Sequence, residues 1–289
     1  MKKTGKVKPK PKQKKTAAGF LGFLKKHKKA VVLIIIATAA VIFWQIKREN
    51  MLYTYEGPDE SLVYPLCEYS SEYYFRDVYN FENYDDGIYR GRRGIDVSEH
   101  QGKIDWSLVK ESGVEFAMIR VGYRGYTSGV INEDPYFEQN IKGATENGID
   151  VGVYFFSQAV STDEALEEAR FVMEKVKKYD LTMPVAFDME EVTENDRISG
   201  LTTEERTEIT DAFCKAVEKQ GEKALIYGNT RWLENKLDLS RLTRFDLWYA
   251  QYAYENTFQY KHAMWQYSCT GTVDGISTEV DLNIEFVKS

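Results

Sequence analysis

Eight short apolar segments recur between Gly94 and the C-terminus, and this recurrence limits the possible folds more than any other feature of the chain. They cover residues 94–97, 116–121, 151–156, 185–189, 224–227, 247–250, 263–267 and 280–282. The first five are separated by stretches with apolar residues at helical spacing, such as 163–173 and 203–218, whereas the last three follow one another with shorter connections. Strands that alternate with helices predict an α/β fold with a parallel sheet. Eight strands over this length predict a single closed β/α barrel with irregular last strands, and a doubly wound open sheet is the alternative.

The fourth apolar segment ends in two carboxylates, Asp188 and Glu190. Because side chains alternate across a strand, both are expected to point to the same side. Charged side chains at the end of a buried strand usually have an interaction partner or a function. Paired carboxylates are the usual catalytic groups for cleaving glycosidic bonds. The alternative is a helix N-terminus, at which one of the two carboxylates caps the following helix.

Polar and aromatic side chains also end most of the other apolar segments. They are Asp96, Tyr154, Ser157, Tyr227, Asn229, Tyr249, Gln251, Gln266, Asp281 and Asn283. Each of them alone has a structural explanation as a turn residue or a core aromatic. In a β/α barrel, however, the C-terminal ends of the strands meet at one face, where active groups lie. Their convergence therefore predicts a functional site at that face.

The N-terminal part of the chain differs in charge from the rest. Residues 1–48 carry fourteen lysines and arginines and no acidic residue, whereas the remainder carries 24 basic and 45 acidic residues. Residues 30–46 contain no charge, and their length is at the short end of the range for a membrane-spanning helix. We therefore predict a basic cytoplasmic arm at 1–29, a transmembrane anchor at 30–46, a Tyr-rich acidic stalk or extension at 47–92 and a barrel domain at 93–289.

A cleaved signal peptide is the alternative to the anchor, since both have a basic start and an apolar centre. Cleavage after the small residues 37–40 would fall inside the apolar run, which favours an uncleaved anchor. Lysines before the span place the N-terminus in the cytoplasm and the barrel outside the cell. The arm adjoins a membrane span and anionic headgroups attract it, so no nucleic-acid partner is predicted.

Three cysteines and three histidines are too few, and too far apart in sequence, for a metal centre. The cysteines Cys67, Cys214 and Cys269 leave room for one disulfide outside the cell, whose pairing the sequence does not decide. We predict neither a metal nor a cofactor.

Four segments together resemble glycoside hydrolase family 25, the Chalaropsis-type lysozymes that act as N-acetylmuramidases. They are Gly94-Ile-Asp-Val-Ser98 with Trp106, Phe187-Asp-Met-Glu190, Met264-Trp-Gln-Tyr267 and Val280-Asp-Leu-Asn283. The resemblance runs from about Gly94 to Phe286 in the order of the family.

The resemblance implies a β/α barrel that hydrolyses the β-1,4 bond after N-acetylmuramic acid in peptidoglycan. It implies Glu190 as the general acid, with Asp188, Asp96 and Asp281 completing an acidic cluster. In the second step, Asp188 orients the acetamido group of the substrate as an internal nucleophile, or a carboxylate activates water with inversion. The positions that would line the sugar cleft are Tyr154, Tyr227, Tyr249 and Gln266.

The leading hypothesis is thus a membrane-anchored peptidoglycan hydrolase that faces the cell wall and has the glycan strands as its partner. One alternative is a non-catalytic scaffold that binds peptidoglycan, and another is a glycosidase for a different amino-sugar polymer. Glu191, next to the predicted acid, would point outward on the alternating pattern and is expected to be inert.

Overall fold

The chain divides into two compact units, Met1–Leu52 and Tyr53–Ser289. The structure, a computed structural model, describes residues 27–289, so most of the predicted basic arm lies outside the described residues. In the first unit, helix α1 spans Lys28–Leu52. Among the described residues it is the one helix long and apolar enough to cross a membrane, by length and composition. It runs past the predicted end at residue 46, and its 25 residues span about 37 Å, more than a typical hydrocarbon core.

The second unit is built on a closed barrel of eight strands. These are β3 (Tyr89–Val97), β4 (Phe116–Arg124), β6 (Asp150–Ser157), β7 (Val185–Met189), β8 (Ala224–Asn229), β9 (Asp246–Ala250), β10 (Met264–Gly271) and β11 (Val280–Lys288). Their order is β3-β11-β10-β9-β8-β7-β6-β4, and pairing of β4 with β3 closes the barrel. A short strand β5 (Ile131–Glu133) adds to the outer edge of β4. The predicted β/α barrel is therefore confirmed.

One strand of the barrel runs against the others. β11 is antiparallel to both β10 and β3, while the other neighbouring pairs are parallel. Only residues 272–279 connect β10 to β11. A parallel crossover needs about a dozen residues or more, so this connection allows only an antiparallel return. The irregularity expected in the last strands has this physical cause.

Helices surround the parallel part of the barrel. They are α2 (Trp106–Glu111), α3 (Phe137–Glu146), α4 (Thr162–Val176), α5 (Thr203–Glu218) and α6 (Thr230–Asn235). Local sequence explains where several begin: Ser161 caps α4, and Thr202 with Glu205 forms a capping box at α5.

The barrel interior is filled by apolar side chains below the face where the parallel strands end. They include Phe116, Met118, Ala186, Leu225, Trp248 and Met264. Gly94 allows this packing, since a Cβ at that position would overlap the ring of Phe116. The second, larger core lies between the outside of the barrel and its outer layer.

Residues 53–88, here called the tyrosine segment, supply that outer layer where helices are missing. The segment contains a hairpin of β1 (Tyr74–Arg76) and β2 (Glu82–Tyr84). Tyr69 stacks on Phe286 of β11 with ring centroids 3.9 Å apart, and Tyr74 meets Trp265 of β10 edge to face at 5.4 Å. The compact unit thus begins at Tyr53, and the predicted stalk at 47–92 is largely a covering of the barrel.

Candidate active site

Four carboxyl groups come together at the mouth of the barrel. Asp96 lies near the end of β3, Asp188 near the end of β7 and Glu190 directly after β7. Asp281 is the second residue of β11, and it pairs directly with Asp96 in the β3–β11 register. Because β11 is antiparallel, its start lies at the same face as the ends of the parallel strands. The reversed strand therefore adds a fourth carboxyl to the cluster.

Asp96 is buried and held by two amide side chains. Its Oδ2 accepts hydrogen bonds from Gln266 Nε2 and from Asn283 Nδ2, each at 2.8 Å. Gln266 Oε1 in turn accepts from the hydroxyls of Tyr227 at 2.8 Å and Tyr252 at 3.1 Å. The network fixes the position of Asp96 and ties it to aromatic side chains on two further elements.

Asn283 is oriented from its other side. Its Oδ1 accepts a hydrogen bond from the indole Nε1 of the buried Trp248 at 2.8 Å. The same indole makes edge-to-face contacts with Tyr227 at 4.8 Å and Tyr154 at 6.0 Å. Trp248 therefore forms the apolar floor beneath the carboxyl cluster and also fixes one of its amide partners.

Burial and mutual repulsion raise the pKa of these carboxyl groups above that of a free carboxyl group. Burial, opposed by the hydrogen bonds from Asn283 and Gln266, raises the pKa of Asp96 to about 6. Burial and the charge of Asp96 raise the pKa of Asp281 to about 8. Four carboxyls this close cannot all ionise at neutral pH, so the cluster retains protons there.

Asp188 and Glu190 form the second interacting pair. Burial raises the pKa of both groups, and the charge of Glu190 raises that of Asp188 further. Within residues 27–289, Oδ1 of Asp188 is buried without a hydrogen-bond partner, whereas Glu190 is partly exposed. Glu190 is thus the more accessible acid, and Asp188 holds a free acceptor atom beneath it.

A cation at the mouth limits the negative charge of the cluster. Arg120, on β4, donates to Asp134 at 2.8 Å and to Glu99 at 2.9 Å. Its positive charge lowers the pKa of Asp188, against the larger effect of burial. Arg120 is not among the predicted site residues. It lies two residues after Met118 on β4, so alternation places both side chains on the same side of the strand, which the structure shows to be the inside.

The backbone that carries Glu190 is held on two sides. Its carbonyl accepts a hydrogen bond from Gln158 Nε2 at 2.8 Å. The next residue, Glu191, forms ion pairs with Lys236 at 2.8 Å, Arg231 at 3.2 Å and Arg206 at 3.5 Å. Glu191 does point away from the cluster, as the alternation indicated, but it anchors the chain segment that presents Glu190.

Of the four residues predicted to line the sugar cleft, Tyr249 lies elsewhere. Its ring stacks on Phe258 at 4.2 Å and its hydroxyl contacts Thr230 Oγ1 at 2.7 Å, outside the barrel. Alternation along β9 explains this placement, because Trp248 takes the inward position and its neighbour must face outward. Tyr154, Tyr227 and Gln266 do face the interior beside the carboxyl cluster.

No group of three or more His, Cys, Asp or Glu side chains among the described residues is arranged to hold a metal ion. Cys67, Cys214 and Cys269 are free thiols, and the possible disulfide is not formed. The carboxyl groups at the mouth can carry out proton transfer and charge stabilisation.

Comparison with known proteins agrees with this geometry. Residues 95–276 match the family model of glycosyl hydrolases family 25. YegX of Escherichia coli O157:H7 is 30% identical over 233 residues, which cover 78% of this chain and 80% of YegX. Lysozyme M1 of Streptomyces globisporus is 29% identical over 203 residues, 67% of each chain.

Among solved structures, the autolysin LytC of Streptococcus pneumoniae, in complex with a synthetic peptidoglycan ligand, superposes with a TM-score of 0.62. The match covers 78% of this chain at 24% identity and supports the fold. This chain spans about half of LytC, with 53% of it covered. On the family match and its carboxyl cluster, the chain belongs to glycoside hydrolase family 25 and is a glycosidase of the lysozyme type.

Proposed function

We propose that this protein is a membrane-anchored peptidoglycan hydrolase that cleaves the β-1,4 bond between N-acetylmuramic acid and N-acetylglucosamine. The observation that carries the proposal is the carboxyl cluster, in which the accessible Glu190 lies beside the buried Asp188 at the barrel mouth. Two carboxyl groups in different environments are the apparatus of glycoside hydrolysis. Lysozyme M1, which matches two thirds of the chain, supports the substrate class.

Glu190 is proposed as the general acid that protonates the leaving glycosidic oxygen. Such a group must still carry its proton at working pH, which requires a raised pKa. Burial supplies the rise at Glu190, and the charge of Asp281 adds to it. Its anchored backbone would hold the carboxyl in one position while the glycan binds, which is the condition for efficient proton transfer.

Asp188 is proposed to orient the acetamido group of the substrate, since its Oδ1 is an acceptor without a partner among residues 27–289. We therefore expect the product to keep the β configuration at the anomeric carbon. An α-anomer seen first by proton NMR would contradict this role.

The test of the proposal is mass spectrometry of the fragments that residues 53–289 release from purified peptidoglycan. Wild type should release fragments ending in reducing N-acetylmuramic acid. Glu190→Gln should lower turnover by at least about a hundredfold, since general acid catalysis contributes roughly 10²–10⁴. Glu194→Gln, an exposed glutamate in the same loop, is the matched control and should cut normally.

Four other results would each contradict one part of the proposal. Retained activity of Glu190→Gln would overturn the assignment of the acid. Binding to peptidoglycan without cleavage by wild type would favour a scaffold, and fragments with reducing N-acetylglucosamine ends would refute the proposed bond. Cleavage of a different amino-sugar polymer instead of peptidoglycan would refute the substrate.

Helix α1 is proposed as the membrane anchor, with the N-terminus in the cytoplasm and the barrel facing the cell wall. Its length and composition support a span, and the lysine-rich residues before it support this orientation. An anchor would confine the enzyme to the wall layer next to the membrane.

A further inference from the structure

A groove of about 450 Å³ lies beside the carboxyl cluster and is formed jointly by the tyrosine segment and the last strands of the barrel. The hairpin contributes residues 76 and 79–82, the loop after β9 contributes residues 252–254, and β10 with its following residue contributes 267–272. Its size is within the range of ligand-binding clefts. The family match begins at residue 95, so one wall of the groove comes from sequence outside the matched region.

Tyr252 joins this groove to the carboxyl cluster. Its side chain lines the groove, while its hydroxyl donates to Gln266 Oε1 at 3.1 Å, and Gln266 holds Asp96. Leu282, which also lines the groove, directly follows Asp281 in the chain. Tyr252 and Leu282 thus place one side of the groove next to residues that belong to or hold the carboxyl cluster.

The groove has the chemical character of a carbohydrate site. Tyr79, Tyr252 and Tyr254 line it with exposed fractions of 47%, 57% and 86%, an unusual exposure for large aromatic side chains. Such rings offer an apolar face to a sugar ring and a hydroxyl for hydrogen bonding. The hydroxyls of Ser268, Thr270 and Thr272 stand on the opposite wall.

The charges of the groove neutralise each other. Among the described residues that line it, the charged side chains are Arg76 and Glu82, and they form an ion pair at 2.9 Å. Arg76 also donates to the carbonyl of Asn80 at 3.0 Å. Since no uncompensated charge faces the groove, it suits neutral N-acetylated sugar rings better than a charged polymer or peptide.

We propose that this groove is an accessory subsite that binds sugar rings of the glycan strand beyond the cleaved bond. The proposal rests on the function proposed above, since the strand must lie across the carboxyl cluster to enter the groove. The tyrosine segment would then have two tasks: it covers the outer face of β10 and β11, and it extends the binding surface of the enzyme. Binding of remote sugars would strengthen capture of long strands.

The test compares two substrates: long glycan strands freed of their stem peptides, and a tetrasaccharide of the same repeat, too short to fill both sites. Tyr254→Ala removes the most exposed ring, and Thr270→Trp fills the groove from the opposite wall. Both variants should raise KM for long strands by about five- to tenfold and leave kcat and the tetrasaccharide kinetics unchanged. Tyr73→Ala, an exposed tyrosine of the same segment outside the groove, is the control and should behave as wild type.

The outcomes separate this proposal from the proposed function. If wild type cleaves neither substrate, the function itself is wrong. If wild type cleaves both and Tyr254→Ala and Thr270→Trp match Tyr73→Ala on long strands, the subsite is refuted while the function stands. Strands that still carry their stem peptides serve as a third substrate: if the variants lose affinity for these strands alone, the groove binds peptide and the sugar assignment is overturned.

Discussion

At the scale of single residues, the carboxyl cluster should make the folded state less stable as pH rises, which is the opposite of the effect of an ion-paired carboxylate. A carboxyl whose pKa is raised in the folded state binds its proton more tightly there than in the unfolded chain. Its contribution to stability is complete below the ordinary pKa near 4 and is lost as pH rises through the folded value. For Asp281 this loss of stability occurs between about pH 4 and about pH 8, because its pKa in the folded state is about 8.

Asp281→Asn should therefore flatten the pH dependence of folding. We expect the variant to be more stable than wild type at pH 9 by roughly 2 kcal/mol and closer to it at pH 5. Urea unfolding of residues 53–289 at pH 5, 7 and 9 measures both free energies. Parallel pH profiles for the two proteins would show that Asp281 ionises normally in the fold.

Glu191 is expected to act on catalysis through its neighbour. Glu191→Gln weakens three ion pairs that hold the backbone next to Glu190, without touching the carboxyl cluster. We predict a fall in kcat of about tenfold with little change in KM, because a misplaced acid affects the transition state more than binding. An unchanged kcat, with thermal stability lowered, would show that the ion pairs serve only the fold; Glu194→Gln is again the control.

At this scale, three of the four predicted lining residues face the barrel interior, whereas Tyr249 faces outward. Alternation tells which residues share a side of a strand, but not which side is inside. On β9 both Trp248 and Tyr249 are large aromatics, so composition offers no way to choose between them. Asn283 is among the polar residues predicted at the barrel face, but its hydrogen bond to Asp96 is visible only in the tertiary structure.

At the scale of elements, the tyrosine segment is the feature that the sequence described least well. Its residues lack regular periodicity, so the sequence predicts only a stalk or an extension there. Its role follows from the short connections around β10 and β11, which leave no helix to cover Trp265 and Phe286. Aromatic rings of the segment cover them instead.

Removal of one such ring should destabilise the barrel. Tyr69→Ala loses the stack on Phe286 and the hydrogen bond that the hydroxyl donates to the carbonyl of His262 at 2.8 Å. We expect a loss of roughly 3 kcal/mol in the free energy of unfolding, and failure of residues 93–289 to fold without the segment. Denaturant unfolding of 53–289 and its variants measures the first. Tyr73→Ala should change stability by less than about 1 kcal/mol, and a stable, soluble 93–289 fragment would contradict the role of the segment.

At the scale of the whole molecule, the proposed anchor, helix α1, would determine where the enzyme can act. We predict that the full-length chain sediments with membranes and resists extraction by carbonate, while residues 53–289 stay soluble with the same activity on isolated wall. The intact mass of the membrane-bound form should equal that of the uncleaved chain. A mature protein that lacks the apolar segment would instead identify it as a signal peptide.

The sequence by itself determined the number and order of the barrel strands, the family, the apolar N-terminal helix and the pairing of Asp188 with Glu190. These follow from local periodicity and from motifs, which the chain carries in consecutive residues. Tertiary structure alone decided that Asp281 lies opposite Asp96, that Trp248 faces inward and Tyr249 outward, and that residues 53–88 cover the last strands. Each of these depends on contacts between residues far apart in the chain, and on how a closed barrel assigns inside and outside, which no local pattern specifies.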